Sequence, residues 1–134
     1  AYEIKECDWS SDVCSSDLAQ LDYVNAHGTG TALNDVTEAN ALRAALGEAA
    51  ATVPCSSTKA ITGHCLGASA ALEAIICIQA MREGRLPGSA NCGQPDPRVR
   101  LNLLREGTPA MVNSALSLSA GFWGNQAALV FQPA

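Results

Sequence analysis

Two short apolar runs in this chain each lead into a histidine flanked by glycine, and each then gives way to a helix. Leu21-Asp22-Tyr23-Val24-Asn25 reads as a buried strand, and His27-Gly28-Thr29-Gly30-Thr31 follows it directly. Thr52-Val53-Pro54-Cys55-Ser56-Ser57 reads as a second strand, followed by a loop Lys59-Ala60-Ile61-Thr62-Gly63-His64 and then a helix from Leu66 to Glu83. Strand-to-helix junctions are where α/β folds carry ligand and catalytic groups. The 134 residues hold only these two histidines. Their matching placement argues for a paired site.

The remaining pattern completes an α/β reading. Asp35-Val36-Thr37-Glu38 opens a helix with acidic residues in its first turn, and Gly47 ends it. In the Leu66–Glu83 helix, Gly67-Ala68-Ser69-Ala70-Ala71 admits another backbone closely. Its later Ile75, Ile76 and Ile78 make it apolar nearly all round, which predicts a buried helix. Beyond Gly84 the chain reads as irregular from Leu86 through Pro95 and Pro97, with a short strand at Leu101–Leu104. Met111–Leu118 and Ala127–Phe131 read as an antiparallel pair around a Gly121–Asn125 turn. Alternating strands and helices closed by such a pair imply a mixed sheet packed between helices.

Composition excludes several functions. Hydrophobic residues make up 48% and charged residues 16%, a globular balance. Aromatics are only 4%, so alanine and glycine must provide close helix-on-sheet packing. Most of the net charge of −5 lies in residues 1–18, so the body is near neutral and nucleic acid is excluded as the main partner. No apolar stretch reaches membrane-spanning length, because Ser69, Glu73 and Gln79 interrupt the best candidate. No signal peptide is recognisable, and a cytoplasmic location is expected. The six cysteines include no Cys-x-x-Cys pair and have no histidine at ligand spacing, so no metal site is expected. Residues 1–18 contain Asp8-Trp9-Ser10-Ser11-Asp12-Val13-Cys14-Ser15-Ser16-Asp17-Leu18, which lacks any periodicity and resembles, in one reading frame, a translated sequencing-library adapter. This segment is set aside as an expected assembly artefact, leaving residues 19–134 as the domain.

From Asp22 to Phe131 the chain resembles the C-terminal half of a β-ketoacyl-[acyl carrier protein] synthase. The likeness rests on His27-Gly-Thr-Gly-Thr31, on Asp35 and Glu38, on Lys59-Ala-Ile-Thr-Gly-His64 with Leu66-Gly67-Ala68, and on the Gly121–Gly124 turn. It implies one half of a thiolase-like fold, paired into homodimers when full length, and decarboxylative condensation of an acyl thioester with a malonyl thioester in fatty acid or polyketide synthesis. It also implies an acyl carrier protein as partner. No cofactor is implied to bind directly, since the phosphopantetheine arm belongs to the carrier.

Residue by residue, His27 and His64 match the family's active-site histidines, and Lys59 matches a lysine in a polar network with a carboxylate, here Glu38, with Asp35 in support. The dipole of the Leu66 helix is expected to keep His64 a neutral donor. Thr29 and Thr31 match positions that touch the pantetheine arm, and Phe122 matches an aromatic gate. The family commonly shows Phe-Gly-Phe-Gly-Gly-Thr-Asn where this chain has Ala120-Gly121-Phe122-Trp123-Gly124-Asn125-Gln126, so Trp123 adds bulk at a tight turn. The family's nucleophilic cysteine belongs to its N-terminal half. None of the six cysteines here has that setting, Cys65 included, so the segment alone is expected to be inactive. The alternative is a fragment of a non-catalytic partner subunit resembling a chain-length factor.

Overall fold

In the computed structural model, which describes residues 2–6, 18 and 20–133, side-chain alternation on neighbouring strands sets the architecture. Among the described residues the strands are β1 (Tyr2–Glu6), β2 (Tyr23–Asn25), β3 (Pro54–Ser56), β4 (Arg85–Leu86), β5 (Asn102–Leu103), β6 (Thr108–Pro109), β7 (Ala115–Ala120) and β8 (Gln126–Pro133). The helices are α1 (Asn34–Leu46), α2 (Lys59–Thr62) and α3 (Ser69–Glu83). The main sheet has the order β1-β8-β7-β2-β3-β5. β7, β2, β3 and β5 run parallel, whereas β8 pairs antiparallel with both β7 and β1.

Successive residues on a strand face opposite sides of the sheet, and the two sides build separate cores. Val24, Leu116 and Val130 join Leu42 of α1 on one side. Tyr23, Ala115 and Phe131 join Cys77 and Ala80 of α3 on the other. The mixed sheet between helices and its closing hairpin are therefore as expected. Gly47 and Gly84, both at positive φ, end α1 and α3 where the sequence places their caps. No helix among the described residues is long and apolar enough to cross a membrane.

Four expectations need correction. The Lys59–His64 stretch is not simply a loop: the N–H groups of Ile61 and Thr62 reach back to the Thr58 carbonyl, forming the single turn of α2, which Gly63 ends at φ +73°. The helix after His64 is not continuous from Leu66. A 3₁₀ turn spans Leu66–Ala68, with Leu66 itself left-handed at φ +51°, and α3 begins at Ser69. The segment read as irregular includes β4, whose partner β6 lies beyond it in sequence. Finally, α3 is not buried all round. It turns Ser69, Glu73, Cys77 and Ala80 inward and leaves Leu72 and Ile75 exposed.

Residues 2–6, set aside by sequence, extend the sheet by pairing their backbone with β8. The adapter-like residues 8–17 lie outside the described residues.

One close crossing locks the segment after α3 into place. A Cβ added at Gly88 would lie 2.6 Å from the backbone of Arg105 and Glu106, which cannot move aside as a flexible side chain could. Gly88→Ala should therefore lower unfolding free energy by about 1–3 kcal/mol in urea melts. Gly93→Ala, whose added carbon meets nothing within 4 Å, should not destabilise the fold.

Candidate active site

Three adjacent parallel strands deliver the site. β2 ends at Asn25 and leads into the His27 loop, β3 ends at Ser56 and leads to Lys59 and His64, and β7 ends at Ala120 before the Phe122 turn. Their carboxyl ends share one sheet edge, the usual place for a site in such folds.

The His27 loop is clamped from both sides. Gly28 sits at φ +42°, and a Cβ there would come 2.4 Å from Cβ of Ser57, so the position requires glycine. Ser57 Oγ donates to the Gly28 carbonyl at 3.0 Å, while the Ser57 N–H donates to Ser89 Oγ at 3.1 Å. From α1, the Glu38 carboxylate accepts the N–H groups of His27 at 2.6 Å and Gly28 at 2.8 Å. Asp35 accepts the Gly30 N–H at 3.1 Å. Burial raises the Glu38 carboxyl above its usual range, against the pull of those two N–H donors. Thr29 and Thr31 hydrogen-bond each other through their hydroxyls at 3.0 Å.

The two histidines, 37 positions apart in sequence, meet edge to face, with ring centroids 5.3 Å apart and planes at 83°. Lys59 Nζ donates to His27 Nδ1 at 3.2 Å and is ion-paired with Glu73 on α3. This corrects the expected network, because Glu73 and not Glu38 is the carboxylate paired with Lys59. An ammonium can only donate, so Nδ1 of His27 is the acceptor and Nε2 carries the proton. The same logic fixes His64, whose Nδ1 accepts the Leu66 N–H at 3.2 Å. Both rings therefore present an Nε2–H.

His27 is 5% exposed. Its pKa is lowered from 6.5 to about 4, first by burial, then by the charge of Lys59 and by the neighbouring His64. An open groove of about 500 Å³ runs past Gly28, Asp35, Glu38, Lys59 and His64. Phe122 stands exposed on its turn at the same sheet edge. Buried Cys55 and Cys77 have thiols pushed up to about 12 by desolvation, so neither is a ready nucleophile.

Sequence reasoning missed Glu73, noting it only as a polar break in an apolar run. A carboxylate in the middle of an apolar stretch of helix signals a buried cationic partner. Ser119, which donates to Glu73 Oε2 at 3.3 Å, carries no such mark. Nor does Ser69, whose hydroxyl lies 3.2 Å from His64 Nδ1.

The chain as a whole is similar to known proteins. The family model "Beta-ketoacyl synthase, C-terminal domain" matches residues 10–93. The chain is 42% identical over 113 residues to the 3-oxoacyl-[acyl-carrier-protein] synthase 2 of Synechocystis sp., covering 84% of this chain and 27% of that protein. It is 40% identical over 124 residues to the putative polyketide β-ketoacyl synthase 1 of Streptomyces halstedii, covering 92% of this chain and 29% of that one. The chain thus spans between a quarter and a third of these relatives' length. A solved type II polyketide ketosynthase, in complex with its acyl-carrier protein and bound to the hexaketide, superposes with a TM-score of 0.85 at 28% identity. That match covers 99% of this chain and 37% of the other.

Two measurements check the electrostatics. Removing one member of the buried Lys59–Glu73 pair, by Lys59→Met or Glu73→Gln, should cost about 3–5 kcal/mol in denaturant unfolding. Removing both charges should cost less than either single change. For His27, the unfolded chain takes up a proton near pH 6.5 and the folded one only near 4. Stability should therefore rise with pH across that window, by at most about 3 kcal/mol. His27→Asn should flatten this slope when unfolding is followed from pH 4 to 7.

Proposed function

Because this chain belongs to the β-ketoacyl synthase C-terminal domain family and has the thiolase-like fold of its ketosynthase neighbours, we propose that it supplies the decarboxylating half of a β-ketoacyl-acyl carrier protein synthase centre. The observation that carries this reading is the pair of Nε2–H donors on His27 and His64, each with its Nδ1 already occupied by a donor. Losing carbon dioxide from a malonyl thioester leaves the bond's electron pair on the remaining carbon, and the thioester oxygen gains negative charge as the enolate forms. Two fixed N–H donors stabilise that oxygen more than they stabilise the ground-state carbonyl. The enolate carbon then attacks the acyl thioester, forming the new carbon–carbon bond and expelling the thiolate of a cysteine outside this chain.

The lowered pKa of His27 fits this role, since it keeps the ring a neutral donor throughout the physiological range. Lys59 orients His27, while Glu38 and Asp35 hold the loop that carries it. Thr29 and Thr31 contact the phosphopantetheine arm, and Phe122 gates the acyl pocket. No cofactor binds the chain directly, because the arm arrives on the acyl carrier protein, a partner also seen with a related ketosynthase. The substrates are acyl and malonyl thioesters of fatty acid or polyketide synthesis in the cytoplasm. Residues 19–134 form the body of the domain, to whose sheet Tyr2–Glu6 adds an edge strand, and the full-length enzyme is a homodimer. The aliphatic side of α3 is covered by the remainder of the synthase, and the segment alone does not condense. A non-catalytic partner subunit has no use for two converging donors backed by a buried lysine, so the geometry favours a catalytic role.

In a complete synthase carrying this segment, His27→Ala and His64→Ala should each slow carbon dioxide release from malonyl-carrier by about 10²–10³-fold. Acylation of the cysteine should suffer much less. Release at the parent rate in both variants would make the histidine motifs structural.

A further inference from the structure

One residue touching the histidine pair has no part in this mechanism. Ser69 opens α3, is 4% exposed, and holds its hydroxyl 3.2 Å from His64 Nδ1. The Leu66 N–H reaches the same nitrogen. Because a backbone N–H can only donate, that nitrogen carries no proton, and the Ser69 hydroxyl must also act as a donor, sharing the nitrogen's one lone pair with the Leu66 N–H in a three-centre contact.

The geometry of Leu66 shows what this turn is built for. Leu66 is left-handed at φ +51° although its side chain is 71% exposed. The strained backbone therefore gains little from burying a leucine. What it achieves is to aim the Leu66 N–H at His64. One N–H still leaves an exposed imidazole free to rock about that single contact. A second donor from a buried, helix-anchored side chain removes that freedom.

The placement on α3 strengthens the case. Ser69 and Glu73 lie one helical turn apart on the same buried face. Glu73 orients His27 through Lys59, and Ser69 reaches His64 directly. A single helix face thus sets both rings against each other.

The geometry points to Ser69 as a positioning residue that, through its hydroxyl on Nδ1, holds the His64 ring so that its Nε2–H converges with that of His27 on the reacting thioester oxygen. This rests on the reading of His64 as a donor in the condensing reaction. Ser69 itself touches no substrate.

The test is a double-mutant cycle in the complete synthase, with carbon dioxide release from malonyl-carrier as the readout. Ser69→Ala is nearly isosteric and suits a helix, so the fold should survive, as a thermal melt would verify. Its kcat for release should fall roughly 3- to 10-fold, the worth of one hydrogen bond, with KM for malonyl-carrier and the rate of cysteine acylation little changed. In a His64→Ala background the same substitution should cost nothing further, because a residue acting through His64 has nothing left to position. A purely structural serine would cost the same factor with or without His64, and that result would overturn the proposal. So would an unchanged kcat in Ser69→Ala alongside a collapsed rate in His64→Ala. If His64→Ala itself released carbon dioxide at the parent rate, the failure would belong to the underlying reading of the site.

Discussion

The buried pairing of Lys59 with Glu73 governs the rest of the site. Taking two charges out of water is costly, and the cost is recovered only when the partners meet in good geometry with their remaining groups satisfied. Each member of this pair has a further partner. Lys59 spends a second hydrogen bond on His27 Nδ1, and the other oxygen of Glu73 accepts the Ser119 hydroxyl. The pair also fixes the rotation of α3, because Glu73 can reach Lys59 only if its face of the helix looks inward. Ser69, Cys77 and Ala80 share that face and are carried in with it.

The same rotation explains the helix's other side. With the polar and small residues turned inward, Leu72 and Ile75 are left outside, and Ile61 and Leu66 are exposed in the segments just before it. Exposed aliphatic groups gathered near a candidate site form the kind of apolar patch that interfaces use. What a hydropathy reading of α3 takes for a fully buried helix is a helix with an inner face chosen by charge and an outer face that stays exposed.

This contrast shows what could be read from the sequence and what could not. Strand and helix order followed from local rules: β-branched and apolar runs, glycine caps, and a hairpin around Gly121–Asn125. The histidine pair was legible because each motif carries its own glycine punctuation. Partner choice was not. Glu38 and Glu73 are both acidic residues on helices near the site, and only tertiary placement shows that Glu38 binds backbone N–H groups while Glu73 binds Lys59. Short strands such as β4 and β6 also escaped, since two residues carry no period and their pairing is long-range. The break between the Leu66 turn and α3 left no trace in the sequence, because it comes with a left-handed leucine, a residue type that gives no sign of that conformation.

Trp123 shows how a departure from the family pattern acts in the backbone as well as through bulk. The sequence flags it as a large side chain where glycine is usual, yet its indole is 99% exposed and crowds nothing. The constraint lies in φ +66°, a left-handed conformation that costs a non-glycine residue roughly 1–2 kcal/mol. The turn is nonetheless closed at both ends: the Gly121 N–H donates to the Asn125 carbonyl at 2.7 Å, and Asn125 Nδ2 donates to the Phe122 carbonyl at 3.1 Å. Glycine at this position would adopt the left-handed conformation without that cost. Left-handed Trp123 therefore strains the turn that carries Phe122, and the Gly121–Asn125 and Asn125–Phe122 hydrogen bonds hold it closed against that cost.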